Sequence, residues 1–147
     1  MRRSAIDARV EPAKPHPGPA LKLLITTLAA VFLASPTYAD GDAELGKAVF
    51  NKCVACHDAK REVNRVGPHL VRVVGRAIGG LESFQGKYSG DLAAAGTAGM
   101  VWDKANLARY LRAPREMFPA GKMMFAGLKE DADIANVIAY LGADPKP

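Results

Sequence analysis

The chain has 147 residues, two cysteines and a formal net charge of +5, enough for one domain. Residues 1–39 hold five Lys or Arg against two Asp or Glu, so residues 40–147 carry 15 against 13, a net of +2. That balance is poor evidence for nucleic-acid binding, and any basic feature that matters must be a local patch.

The first 20 residues, MRRSAIDARVEPAKPHPGPA, are basic and proline-rich with no apolar period. The next 14, LKLLITTLAAVFLA, are mostly apolar and lead through SPTYA to Asp40. A positive region, a short apolar run and Thr37-x-Ala39 predict a secretory signal peptide over residues 1–39, cleaved after Ala39. A spanning helix needs roughly 20 apolar residues, and Lys22 and Pro36 close this run too early. An uncleaved anchor is the competing reading, and the long stretch before the apolar run leaves open whether Met1 is the true start. The predicted domain is then residues 40–147.

That domain begins with a predicted helix, DAELGKAVFNK. Asp42 can cap it, and Leu45, Val49, Phe50 and Cys53 recur at spacings of three and four. It runs straight into Cys53-Val54-Ala55-Cys56-His57. A redox dithiol needs its first cysteine at a helix N-terminus after a strand, and here the cysteines follow a helix. A structural zinc site needs four ligands in clustered pairs, and after the motif only His69 remains. Covalent haem attachment needs what is present: two thiols to add to the two vinyl groups of one porphyrin, and a histidine to reach its iron. Haem c with its iron is therefore the expected cofactor. The other axial position is open at this point among His69, Met100, Met117, Met123 and Met124, a methionine being by default a core gap-filler.

From Cys56 to Trp102 the chain is rich in glycine and reads as loop, burying little of itself. It makes sense if wrapped around a large flat cofactor that replaces part of a core. A second helix, KANLARYLRA, is predicted after Asp103 as cap, with Leu107, Tyr110 and Leu111 on one face and Pro114 as its stop. A last helix begins near Asp131 or Asp133. Ile134, Val137, Ile138 and Leu141 form its apolar stripe, and Gly142 stands where a stop is expected. No convincing strand is present.

From Gly41 onward the sequence resembles class I cytochrome c, the small mitochondrial and bacterial type. The resemblance rests on GDAELGKAVFNKCVACH, VGPHLVRVVGR, Trp102, LARYLRAPREMFPAGKMMFAGL and DIANVIAYL, in the family's order. It implies an all-α fold of three main helices, with loops wrapped around one covalent haem. The first and last helices would cross at Gly46, Phe50 and Tyr140. It implies thioethers from Cys53 and Cys56, His57 as one axial ligand and Met123 as the other, with Met124 as the rival. The Pro68 carbonyl would hold the His57 ring. Arg76, Tyr88 and Trp102 would meet the haem propionates, and Tyr110 would approach the methionine sulfur. The family's asparagine has no clear counterpart in SGDLAAAGTAGM, and Gly121 stands where a hydroxyl residue is usual.

A closed His/Met coordination sphere favours moving one electron and disfavours binding small ligands. The resemblance implies a monomeric periplasmic electron carrier and no enzyme, meeting membranes only through its redox partners. The expected donor is a quinol:cytochrome c reductase or a periplasmic dehydrogenase; the acceptor is a terminal oxidase. Two alternatives remain at this level, a fixed haem subunit of one dehydrogenase and a small-ligand-binding haem protein. Lys52, Lys122 and Arg115 match positions where the family is basic, a surface suited to steering acidic partners.

Overall fold

The computed structural model describes residues 40–147, together with Lys14. The expected signal peptide and its cleavage site at Ala39 lie outside the described residues. Five helices follow one another: α1 (Ala43–Phe50), α2 (Gly90–Thr97), α3 (Lys104–Arg112), α4 (Pro114–Met117) and α5 (Asp131–Gly142), with a 3₁₀ turn at Glu82–Phe84. Among the described residues the only extended pairing is an isolated antiparallel bridge between Ala77 and Val101. The all-α expectation holds.

α1 starts where Asp42 accepts hydrogen bonds from the backbone amides of Glu44 (2.7 Å) and Leu45 (3.2 Å). These are donors that the first turn of a helix cannot satisfy internally. α1 packs against α5 with Gly46, Val49 and Phe50 buried. Gly46 is what lets the two backbones meet. A Cβ there would collide with the Asn136 carbonyl and sit 2.8 Å from the Tyr140 Cβ. Phe50 and Tyr140 close the crossing with ring centroids 5.2 Å apart, and the Asn136 side chain accepts from the Asp42 amide at 2.8 Å. The expected crossing residues are therefore the ones in contact.

α3 is capped by Asp103, which accepts from the Asn106 amide at 2.7 Å, and buries Leu107 and Ala108. Pro114 does end α3. It also opens the four-residue α4 from its first position, where its missing N–H is no loss. α5 buries Ile134, Val137, Ile138, Tyr140 and Leu141, and Asp131 and Asp133 in its first turn suit the positive end of its dipole.

One expectation is corrected. The stretch between Cys56 and Trp102 is not all loop, because α2 occupies its last third and buries Leu92 and Ala95. α5 does stop at Gly142, as expected, and Ala143 follows in an extended conformation at φ −67°.

Candidate haem site

α1 does not end cleanly at Phe50. Tighter bonds carry the chain onward from Asn51 to Ala48, Lys52 to Val49 and Cys53 to Phe50, and the His57 amide then closes on the Cys53 carbonyl at 3.0 Å. This winding brings Cys53, Cys56 and His57 to one wall of a cavity of about 370 Å³, the size range of small-molecule and cofactor sites. Cys53 and Cys56 are half-buried and form no disulfide with each other. Burial pushes the Cys53 thiol up, with Lys52 opposing and Cys56 adding to the effect.

The His57 ring is fixed from behind. Its Nδ1 lies 2.7 Å from the Pro68 carbonyl, an arrangement that makes Nδ1 the donor and frees Nε2 as a lone-pair donor. A Cβ on Gly67 would press on the same ring, 2.8 Å from Nδ1 and 2.9 Å from Nε2. Burial holds His57 below the ordinary histidine range, with the Pro68 carbonyl opposing. A neutral imidazole is the form that binds a metal.

Met123, Phe125 and Leu111 also line the cavity, as does Tyr110, whose hydroxyl reaches the Met123 sulfur at 3.8 Å. The adjacent Met124 is 90 % exposed at the cavity mouth, and Arg115 Nη2 lies 3.5 Å from its sulfur. His69, Met100 and Met117 are not among the lining residues. His69 is buried on its own, its Nδ1 without a partner among the described residues. Burial pushes Tyr110 up to about 12, with Asp91 adding and Arg115 opposing.

Arg76, Tyr88 and Trp102 line the cavity as well. Arg76 donates to the carbonyls of His69 (3.0 Å) and Val71 (3.4 Å), and it meets no carboxylate among the described residues. Burial pushes its pKa down, with Tyr88 opposing. A half-buried guanidinium without a counter-anion fits a ligand that brings its own carboxylates. Ser89 was not anticipated from the sequence. It lines the same cavity and is 5 % exposed, and its hydroxyl is the main cause that holds the nearby Asp91 carboxyl below the ordinary range. Its place beside Tyr88 in KYSGD was the only signal available.

Lys52, Lys87, Lys122, Val66 and Met124 stand around the mouth. The expected basic rim is partly engaged: Lys52 pairs with Asp133 at 3.0 Å, and Lys122 donates to the carbonyls of Lys87 (2.9 Å) and Tyr88 (3.3 Å). Two thiols, one fixed imidazole, a thioether and an uncompensated cation around one apolar cavity suit a covalently held iron porphyrin.

The family described as Cytochrome c matches residues 43–143. This chain belongs to the cytochrome c family. It is similar to cytochrome c2 of Afifella marina, 44 % identical over 97 residues that cover 65 % of this chain and 77 % of that one. It is also similar to cytochrome c-550 of Nitrobacter winogradskyi, 40 % identical over 102 residues that cover 69 % and 89 %. Among solved structures, cytochrome c2 from Rhodospirillum centenum aligns with a TM-score of 0.63 at 34 % identity, covering 73 % of this chain and all of that one. The protein is an electron-transfer protein with covalently attached haem c, and the two cysteines of Cys53-x-x-Cys56-His57 suit the two thioethers. It is an electron carrier, not an enzyme.

Proposed function

We propose that residues 1–39 are a signal peptide removed after Ala39, and that residues 40–147 work as a monomer in the periplasm. There the protein takes one electron at a time from a quinol:cytochrome c reductase or a periplasmic dehydrogenase and delivers it to a terminal oxidase. Among the described residues no helix is long and apolar enough to cross a membrane. The relatives are named as cytochromes in their own right, which favours a free carrier over a fixed dehydrogenase subunit.

The observation that carries the proposal is the pairing of His57, braced by Pro68, with Met123 on the lining of one cavity. The haem supplies an iron that gains and loses one electron, at a potential raised by a methionine ligand. Cys53 and Cys56 anchor it. His57 presents Nε2, and the Pro68 carbonyl keeps the proton on Nδ1 and the ring in one orientation. Met123 would supply the second ligand to that iron, with the Tyr110 hydroxyl 3.8 Å from its sulfur to orient it. Arg76, Tyr88 and Trp102, joined by Ser89, would hold the propionates with N–H and O–H donors. Lys52, Lys87, Lys122 and Arg115 steer acidic partners toward the mouth, so oxidation by such a partner should slow as salt is added.

Mass spectrometry of the exported protein tests this. The expected result is an N-terminus at Asp40 and one haem adduct on the peptide holding Cys53 and Cys56. Free thiols, or a disulfide between them, would contradict it.

A further inference from the structure

The segment that carries Met123 has little backbone to hold it. After Phe118 it makes one internal bond, from the Gly121 amide to the Phe118 carbonyl at 2.9 Å, and the next is from Leu128 to Leu111 at 2.8 Å. Between those two points no backbone–backbone hydrogen bond is made among the described residues. Side chains do that work. Asp91, in the first turn of α2, turns one carboxylate oxygen onto the Leu92 amide of its own helix at 2.9 Å. The other oxygen accepts from the Ala120 amide at 2.9 Å. Lys122 runs in the opposite direction, from the methionine segment to the carbonyls of Lys87 and Tyr88.

We propose that Asp91 is a positioning residue for Met123, a strap by which α2 holds the 118–125 segment against the cavity. This rests on the reading of Met123 as the distal ligand. The physical case is direct. A carboxylate–amide bond is charge-assisted and stronger than a neutral one, and it grips three residues before Met123. Its other end is in a helix, where a side chain is aimed more reproducibly than from a loop. α2 is fixed in turn by Leu92 and Ala95, which are buried.

The experiment uses the full haem-loaded protein and two readouts, hydrogen exchange at the Ala120 amide and the rate at which imidazole enters the ferric protein. Imidazole can bind only when the Met123 segment opens. Asp91→Ala should speed both about tenfold, which is about 1.4 kcal/mol. Asp91→Asn keeps an oxygen acceptor and should recover part of the loss, at about threefold. Asp42→Ala removes the α1 cap, far along the chain from this segment. It should lower the melting temperature without changing imidazole entry.

If Asp91→Ala changes neither readout beyond twofold, or if Asp42→Ala speeds imidazole entry equally, the strap is wrong. Should Asp91→Ala fail to mature, the wild-type protein still decides: an Ala120 amide exchanging as fast as an unstructured alanine overturns it. Absence of thioether–iron absorption in the wild-type ferric protein overturns the Met123 reading and with it the ligand-holding role. Normal absorption with an indifferent Asp91→Ala overturns the role of Asp91 alone.

Discussion

Gly46→Ala is a one-methyl change whose cost can be worked from the helix crossing. Its Cβ would meet the Asn136 carbonyl, which is backbone and cannot rotate away, and the Tyr140 Cβ at 2.8 Å. Ordinary contact would require α1 and α5 to part by about 1 Å, and a gap of that size forfeits a quarter to a half of each dispersion contact it opens. The Phe50–Tyr140 ring pair at 5.2 Å lies in the path of that movement. Overpacking of this kind costs about 2–3 kcal/mol. Alanine returns about 1 kcal/mol through its better helix propensity, leaving a net loss of about 1–2 kcal/mol. Gly90→Ala at the start of α2 is the matched control. Nothing lies within 4 Å of its Cβ and its φ is not left-handed, so only the favourable part of the exchange remains. Urea unfolding of the haem-loaded protein should move the Gly46→Ala midpoint down and leave that of Gly90→Ala level or higher. Equal midpoints for the two would refute the claim that close approach at Gly46 sets the crossing.

Gly67→Ala should press on the His57 ring and lower haem incorporation or the reduction potential, read by spectrum and voltammetry, while Gly75→Ala, open to space but at φ +84°, should affect stability alone. Arg76→Gln removes a cation from the cavity wall, which favours the more positive ferric state; the potential should fall by tens of millivolts. His69 is buried with an orphan Nδ1, and burial first, then Arg76, holds its pKa below the ordinary 6.5. The unfolded chain therefore binds a proton below pH 6.5 that the folded one refuses, so stability should fall as pH drops through that value. His69→Gln should flatten that slope in urea titrations.

Some of this architecture was legible because the residues carry their physics openly. Asp42 and Asp103 are caps followed by apolar residues at helical spacing, and α5 has a full stripe from Ile134 to Leu141. The pentapeptide ending at His57 spells out two thiols and an imidazole. α2 was hidden because GDLAAAGT shows almost no contrast between faces and carries glycine at its first and seventh positions. It forms through tertiary contact: a Cβ on Gly96 would strike the Ile78 carbonyl, so the small residue marks close packing and not a loop. Pro114 was legible as an end of α3 but equally begins α4, since a proline stops one helix and suits the first position of the next. Asp91 and Ser89 were not legible as site residues. Their roles depend on which segment lies across from them, and a sequence does not state that.

The central claim is that His57 and Met123 together close the iron. It is tested by the visible spectrum of the reduced, haem-loaded protein with and without carbon monoxide, in the wild type and in Met123→Leu and Met124→Leu. The account predicts a low-spin spectrum that the gas leaves unchanged in the wild type and in Met124→Leu, and a rapid shift in Met123→Leu. A wild-type protein that binds carbon monoxide at once, or a shift produced by Met124→Leu in place of Met123→Leu, would contradict it.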